Sequence, residues 1–316
     1  MEANFIDISF VSPCFNEEAT LQKFYAEVTR VSSALSASGQ ASACELIFVD
    51  DGSVDATSSM LRDFAQRDDR VRYLVFSRNF GKESALLAGL QKARGRYVVT
   101  LDADLQDPPS LIPEMLAAVA SGEFDCAGTR RVTRKGEPAI RSFFARRFYR
   151  LMAMLTDIEV VDGARDFRLM SRPYVNAVLS LGERIRFSKG IFPWVGFRTK
   201  WFEYENIRRV TGETKWSFGK LFLYSLDGIF AFSSKPLAIA SILGVLFFLL
   251  SLAFVAVIIV RRITWGDPVA GWASTACIIL FCSGVQLFTV GIVGQYLAKV
   301  YAEVKQRPHY IVREEK

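Results

Sequence analysis

From Pro236 to Val260 the sequence runs for 25 positions without a charged side chain, and this run limits the architecture more than any other feature. A helix rising about 1.5 Å per residue crosses a hydrocarbon core of about 30 Å in about 20 residues, so the stretch is long enough to span a bilayer. A second run, Val269–Ala298, has only Gln286 and Gln295 as strongly polar interruptions and is also long enough, with some tilt. Gly266-Asp267-Pro268 between them reads as a hairpin turn. Two spans bring the chain back to the side it left, so both termini share that side. The Lys/Arg bias places it in the cytoplasm, although Arg261 and Arg262 in the hairpin weaken the count.

The rest of the chain has to fold in water. Hydrophobic residues make up 51% and charged residues 23% of the 316, too polar for full embedding and too apolar for disorder. A net charge of +6 with a pI near 9.1 points to anionic partners: phosphorylated ligands, lipid head groups or nucleic acid. Cys14, Cys44, Cys126, Cys277 and Cys282 form no CxxC pair, and His309 is the one histidine, so the usual zinc spacings are absent and a reducing compartment is expected. Met1–Asp7 has neither a basic start nor a long apolar block, so no secretory signal is expected.

Over the first 130 residues, short β-rich runs (Ile6–Pro13, Glu45–Val49, Val71–Phe76, Tyr97–Leu101, Phe124–Ala127) alternate with helical patterns near Ala19–Ser36, Asp55–Gln66, Glu83–Ala93 and Ser110–Ala120. Such alternation predicts a mostly parallel sheet with helices on both faces, whose ligands bind beyond the carboxyl ends of the strands. Those ends carry Pro13-Cys14-Phe15-Asn16-Glu17, Asp50-Asp51-Gly52-Ser53 and Asp102-Ala103-Asp104-Leu105-Gln106. Further on, Arg141, Arg146, Arg147 and Arg150 interleave with Phe143, Phe144, Phe148, Tyr149 and Met152 between Pro138 and Leu155. That pattern fits a helix lying on a membrane surface and equally a packed amphipathic helix with a solvated basic side. A second such piece, Ser217–Lys235, leads into the first span.

On an extended strand, Asp102 and Asp104 put both carboxylates on one side, with Gln106 continuing that face. Two carboxylates without histidine favour a hard cation such as Mg²⁺ or Mn²⁺ with open positions for diphosphate oxygens; an acidic turn without ligand has the same letters. Asp50 and Asp51 can accept from a nucleobase N–H or a ribose hydroxyl, and Gly52 permits close approach or a left-handed turn. The same Asp-Gly-Ser-x-Asp string can simply cap a helix near Asp55. GxxxxGK and GxGxxG are absent, so neither a P-loop nor a dinucleotide fingerprint is available.

Six motifs in order carry a resemblance over essentially the whole chain: the Pro13–Glu17 turn, Asp50-Asp51-Gly52-Ser53, Arg78-Asn79-Phe80-Gly81-Lys82-Glu83, Asp102-Ala103-Asp104-Leu105-Gln106-Asp107-Pro108, Asp166-Phe167-Arg168-Leu169 and Arg209-Val210-Thr211-Gly212-Glu213-Thr214-Lys215. The chain resembles a family 2 glycosyltransferase of the polyprenyl-phosphate type, similar to bactoprenol glucosyltransferase and dolichyl-phosphate mannose synthase. Phe15 stands where tyrosine is common and Thr214 where serine is common; neither change removes a needed group.

The resemblance implies an α/β, GT-A, Rossmann-like catalytic domain over residues 1–215, a juxtamembrane amphipathic helix over 216–235, two transmembrane helices with a short hairpin over 236–298 and a basic cytoplasmic tail over 299–316. It implies that Pro13, Phe15, Glu17 and Asp51 contact the uridine or ribose, with Asp50, Lys82 and Asp102 also at the nucleotide sugar. Asp102, Asp104 and Gln106 would hold Mg²⁺ or Mn²⁺, while Arg130, Arg141, Arg209 and Lys215 would grip phosphates or lipid. Asp166, Asp104 and Arg209 would be catalytic, Asp166 as base or as a positioning group.

The implied reaction is inverting transfer of one sugar, glucose from UDP-glucose in the leading reading, to a polyprenyl phosphate such as undecaprenyl phosphate. An aminopentose from UDP, mannose from GDP, or a non-catalytic membrane-tethered nucleotide-sugar sensor are the alternatives. Expected partners are the nucleotide sugar, the lipid phosphate and the inner membrane, without nucleic acid. Two helices are too few to enclose a sugar path, so a separate flippase and a downstream glycosyltransferase are expected unless a homo-oligomer builds a channel.

Overall fold

Residues 6–131, 154, 161, 163–204, 229–230, 232–265 and 271–316 are described by the structure, a computed structural model. The Pro138–Leu155 pattern (Met154 apart), most of Ser217–Lys235, the Gly266-Asp267-Pro268 turn, Arg141, Arg209 and Lys215 lie outside the described residues.

Strands β1 (Ile8–Cys14), β2 (Cys44–Asp50), β3 (Val71–Phe76) and β4 (Tyr97–Thr100) alternate with helices α1 (Glu18–Ala37), α2 (Thr57–Arg67) and α3 (Lys82–Lys92). They pair in parallel as β3-β2-β1-β4. After α4 (Ile112–Ala120) come β5 (Cys126–Arg131), β6 (Ala164–Ser171), α5 (Arg172–Ser180), α6 (Ser188–Trp194) and β7 (Thr199–Tyr204). The full sheet runs β7-β5-β6-β4-β1-β2-β3-β8, with β8 being Val312–Glu315. Among the described residues it is mostly parallel, because only β6 and β8 run against the rest.

Alternation along each strand fills two cores. On β2, Leu46 and Phe48 face Leu21, Phe24 and Val28 of α1 together with Leu61 and Phe64 of α2, while Ile47 and Val49 face Ala85 and Leu86 of α3 and Ile191 and Phe192 of α6. All seven residues of β2 are buried, which is why its centre, Leu46–Val49, reads as a continuous apolar run and not as an alternating one. Truncating such a core leucine to alanine costs about 2–5 kcal/mol.

β6 and β7 carry no sequence signal of this kind. In β6, Asp166 and Arg168 interrupt the apolar run, and in β7 Lys200 and Glu203 do the same. Their strand state comes from pairing, β6 with β4 and β5, and β7 with β5.

Helices α7 (Lys235–Trp265) and α8 (Trp272–Lys305) follow. Each contains a segment long and apolar enough to cross a membrane, Lys235–Phe254 with mean hydropathy 2.7 and Phe281–Lys305 with 1.3. Their apolar side chains, Phe248, Leu249, Phe288 and Val290 among them, are exposed, as an apolar solvent would require.

The stretch read above as a basic tail is largely ordered structure. Helix α8 continues to Lys305, and β8 then covers the outer edge of β3. Glu314 accepts two hydrogen bonds from Arg62, at 2.9 and 2.7 Å, and one from Tyr73 Oη at 2.7 Å; Lys92 Nζ lies 2.7 Å from Glu315. Four residues with three charges give no period-2 apolar signal, so only an available edge makes Val312–Glu315 a strand.

Candidate active site

The carboxyl ends of β1 to β5 and β7, and the amino end of the reversed β6, meet along one edge of the sheet. The β1–α1 and β2–α2 turns are stitched together there. Asn16 N donates to Ser53 Oγ at 2.9 Å and Val54 N donates to Asn16 Oδ1 at 3.0 Å; Glu17 N donates to Thr57 Oγ1 at 2.9 Å and Ala56 N to Glu18 Oε2 at 2.9 Å. The Glu17 carboxylate accepts from Thr20 Oγ1 at 2.8 Å. Cross-bracing of this kind holds loops rigid where no helix or strand does.

Asp50 is fully buried and accepts from Ser53 N at 2.9 Å and from the Ser58 hydroxyl. Asp51 is also buried, and its carboxylate receives Phe80 N at 2.6 Å and Gly81 N at 2.9 Å. Burial pushes Asp51 up to about 6, against the pull of those two N–H groups. Asp51 therefore ties the β3–α3 loop to the end of β2. Gly52, at φ +71°, lets that loop come in: a Cβ there would stand 2.5 Å from Arg78 C and 2.8 Å from Asn79 N. Both roles weighed for Gly52, the left-handed turn and the close approach, operate together.

The same loop delivers Lys82, the first residue of α3. Its ammonium lies 2.8 Å from the Asp102 carboxylate and 2.6 Å from Asp166. Burial raises Asp166, but the charges of Lys82 and Lys189 and the Lys82 hydrogen bond outweigh it and hold the carboxyl well below the usual range. Behind it, Glu83 accepts from Ser188 N at 3.2 Å and from the Ser188 hydroxyl, joining α3 to α6.

The acidic loop differs in geometry from the extended strand expected for it. β4 ends at Thr100, Ala103 and Asp104 lie in a turn, and Leu105 takes φ +56°. Gln106 N then donates to Asp104 Oδ1 at 3.1 Å, and Gln106 Oε1 accepts from Arg131 at 2.7 Å. Strand alternation therefore does not set the Asp102–Gln106 arrangement; the turn does. Burial, then the neighbouring charge of Asp102, raises the Asp104 carboxyl. At the base of the loop, buried Asp107 accepts from Arg165 Nε at 3.0 Å and from the Tyr204 hydroxyl, which clamps it to β6 and β7.

Among the described residues no group of three His, Cys, Asp or Glu converges as a metal cluster. Two carboxylates and an amide carbonyl fit a hard cation that completes its shell from a diphosphate and water. A cation beside Asp104 would offset the burial and the Asp102 charge that raise its carboxyl; the Lys82 ammonium lies against Asp102 and Arg131 against the Gln106 carbonyl, so these two cations are what a metal would replace.

Comparison with known proteins decides the family. Residues 9–179 match the family model for glycosyl transferase family 2. The chain belongs to glycosyl transferase family 2. A glycosyltransferase from Synechocystis sp. is 43% identical over 307 residues, covering 97% of this chain and 95% of its own. The bactoprenol glucosyl transferase of Shigella phage SfV is 38% identical over 309 residues, 98% of this chain and 99% of its own. A prophage bactoprenol glucosyl transferase homolog from Escherichia coli is 37% identical over 306 residues, 97% and 98%. Among solved structures, the glucosyl-3-phosphoglycerate synthase of Mycobacterium tuberculosis, in complex with Mn²⁺, UDP and phosphoglyceric acid, matches with a TM-score of 0.47 and 20% identity over 71% of this chain and 76% of that one. The mixed α/β, GT-A-like architecture and a transferase activity go with the family.

Of the residues singled out from the sequence, Pro13, Phe15, Glu17, Asp50, Asp51, Lys82, Asp102, Asp104, Gln106, Arg130 and Asp166 lie in the elements and loops at this edge. Arg130 pairs there with Glu203, its register partner on β7, at 2.9 Å. Arg131, pointing the other way, is the one that touches the acidic loop. Sequence reasoning passed over Arg131, Arg165 and Tyr204. Their signal was faint: two adjacent arginines cannot be told apart until strand register is known.

Proposed function

We propose that this family 2 enzyme transfers a single glucose from UDP-glucose to a polyprenyl phosphate such as undecaprenyl phosphate at the cytoplasmic face of the inner membrane, with inversion at the anomeric carbon. The observation that carries the reading is likeness at 37–38% identity to bactoprenol glucosyl transferases over 97–98% of this chain, the two apolar helices included. The lipid acceptor keeps its tail in the bilayer, which suits a catalytic domain anchored by two spans.

Pro13, Phe15, Glu17 and Asp51 hold the uridine and ribose, with Asp50 bracing the turn from below. Asp102, Asp104 and Gln106 hold Mg²⁺ or Mn²⁺, which supplies Lewis-acid stabilisation of the diphosphate leaving group. Lys82 and Arg131 add positive charge beside that loop, and Arg130, Arg141, Arg209 and Lys215 are assigned to phosphates. A phosphate monoester with a second pKa near ~6 is already largely ionised at neutral pH, so the acceptor oxygen needs little help from a base. Asp166, held ionised by Lys82 and Lys189 despite burial, is a weak base; its role is to orient the sugar or the acceptor.

The test is incubation of the purified protein with undecaprenyl phosphate and a panel of nucleotide sugars, with Mn²⁺ or with chelator. Labelled lipid product from a UDP-hexose in the presence of divalent ion is expected. Turnover unaffected by chelator would remove the metal assignment, and no lipid product with any donor would remove the acceptor.

A further inference from the structure

Lys82 breaks a local rule. It occupies the first position of α3, where the positive end of the helix dipole disfavours a cation. Its neighbour Gly81 sits at φ +99° and its N–H donates to both carboxylate oxygens of Asp51, at 3.2 and 2.9 Å, so the backbone that presents Lys82 is held in place by a buried carboxylate. The ammonium bridges Asp102 and Asp166 at 2.8 and 2.6 Å, and these come from two different strands, β4's end and β6. Lys82, Asp102 and Asp166 keep 43, 21 and 22% of their side-chain surface exposed, so the bridge is only partly buried. Around it stand Lys189, whose charge acts on Asp166, and Arg165 and Asp107, whose charges act on Asp104. The cation thus sits against one of the two carboxylates that a divalent ion needs.

We propose that Lys82 is an exchangeable counter-cation: in the ligand-free enzyme it holds Asp102 beside Asp166, and a divalent ion arriving at Asp102 and Asp104 displaces it from Asp102. The released ammonium, still paired with Asp166, is then free to meet the donor diphosphate. Exchange of this kind keeps the acidic site neutralised before metal arrives and couples metal to donor, since the metal takes Asp102 from Lys82 and the donor then meets the ammonium so released. This inference rests on the metal and donor reading above and concerns an additional role for Lys82 within it.

The experiment measures binding, not turnover. Mn²⁺ is titrated by electron paramagnetic resonance into the full-length protein in detergent, without nucleotide, and UDP is then titrated at saturating Mn²⁺. For Lys82→Met, Mn²⁺ alone should bind roughly tenfold more tightly than to wild type, because the competing ammonium is gone. UDP at saturating Mn²⁺ should bind more weakly to the same variant. Lys82→Arg, which keeps the charge, should stay near wild type in Mn²⁺ affinity.

A merely structural lysine would weaken both ligands together, and that outcome overturns the proposal. Equal Mn²⁺ affinity in wild type and Lys82→Met overturns the exchange and leaves the metal reading standing. Absence of Mn²⁺ binding to either protein overturns both. If Lys82→Met does not fold, Lys82→Gln carries the same expectations.

Discussion

Gly52→Ala tests the claim that the nucleotide-side loops are built around a missing side chain. At φ +71° an alanine carries about 1–2 kcal/mol of backbone strain. The new Cβ would also lie 2.5 Å from Arg78 C and 2.8 Å from Arg78 O and Asn79 N. These are backbone atoms, so relief requires moving the loop, and overpacking of this sort costs about 1–3 kcal/mol. Together the loss is about 2–5 kcal/mol, which for a domain of this size lowers the thermal midpoint by about 4–20 °C.

Gly39→Ala is the control, since Gly39 has the same φ of +71° with nothing within 4 Å of its Cβ position. The difference between the two variants isolates the contact from the strain. Thermal unfolding of the detergent-solubilised protein by circular dichroism, with UDP titration alongside, reads both. Displacing Phe80 and Gly81 from the Asp51 carboxylate should also weaken UDP binding. If Gly52→Ala melts with Gly39→Ala and binds UDP as wild type does, the packing argument is wrong.

Asp104→Ala should abolish metal-dependent transfer while the protein still inserts into membranes, checked by product assay and by flotation with liposomes. Because burial raises Asp51 to about 6, the protonated form is favoured in the fold. Its stabilising contribution is complete below about pH 4 and is lost as pH rises through about 6. Wild type should therefore lose stability relative to Asp51→Asn between pH 4 and 7 in urea titrations; a constant difference refutes this. Deleting residues 311–316 uncovers β3, removes the partners of Arg62 and Tyr73 and the strand beside the Phe76–Tyr310 stack at 4.8 Å; faster amide exchange over Val71–Phe76 is the expected result. Tyr204→Phe removes a hydroxyl from buried Asp107 and should cost about 1–3 kcal/mol by leaving that carboxylate short of a donor.

The order of β1 to β4 and α1 to α3 was legible in the chain because each strand is buried on both faces and each helix on one, so burial dictates both the residue types and their period. The acidic and glycine-bearing motifs stood out because carboxylates closing apolar strands break the burial pattern, although the fold also uses Asp50, Asp51 and Asp107 to brace loops. The two uncharged runs announced their length directly. What the sequence could not settle is anything decided by a partner distant in the chain. β6, β7 and β8 are strands because neighbouring strands pair with them, and their charged residues hide that. Lys82 reads as one more basic residue until folding sets Asp102 and Asp166 on either side of it. Arg130 and Arg131 differ only in which face of β5 they occupy. A residue's type follows from the water or oil it must meet, and that is local; its role follows from which charges the fold brings within 3 Å, and that belongs to the tertiary structure.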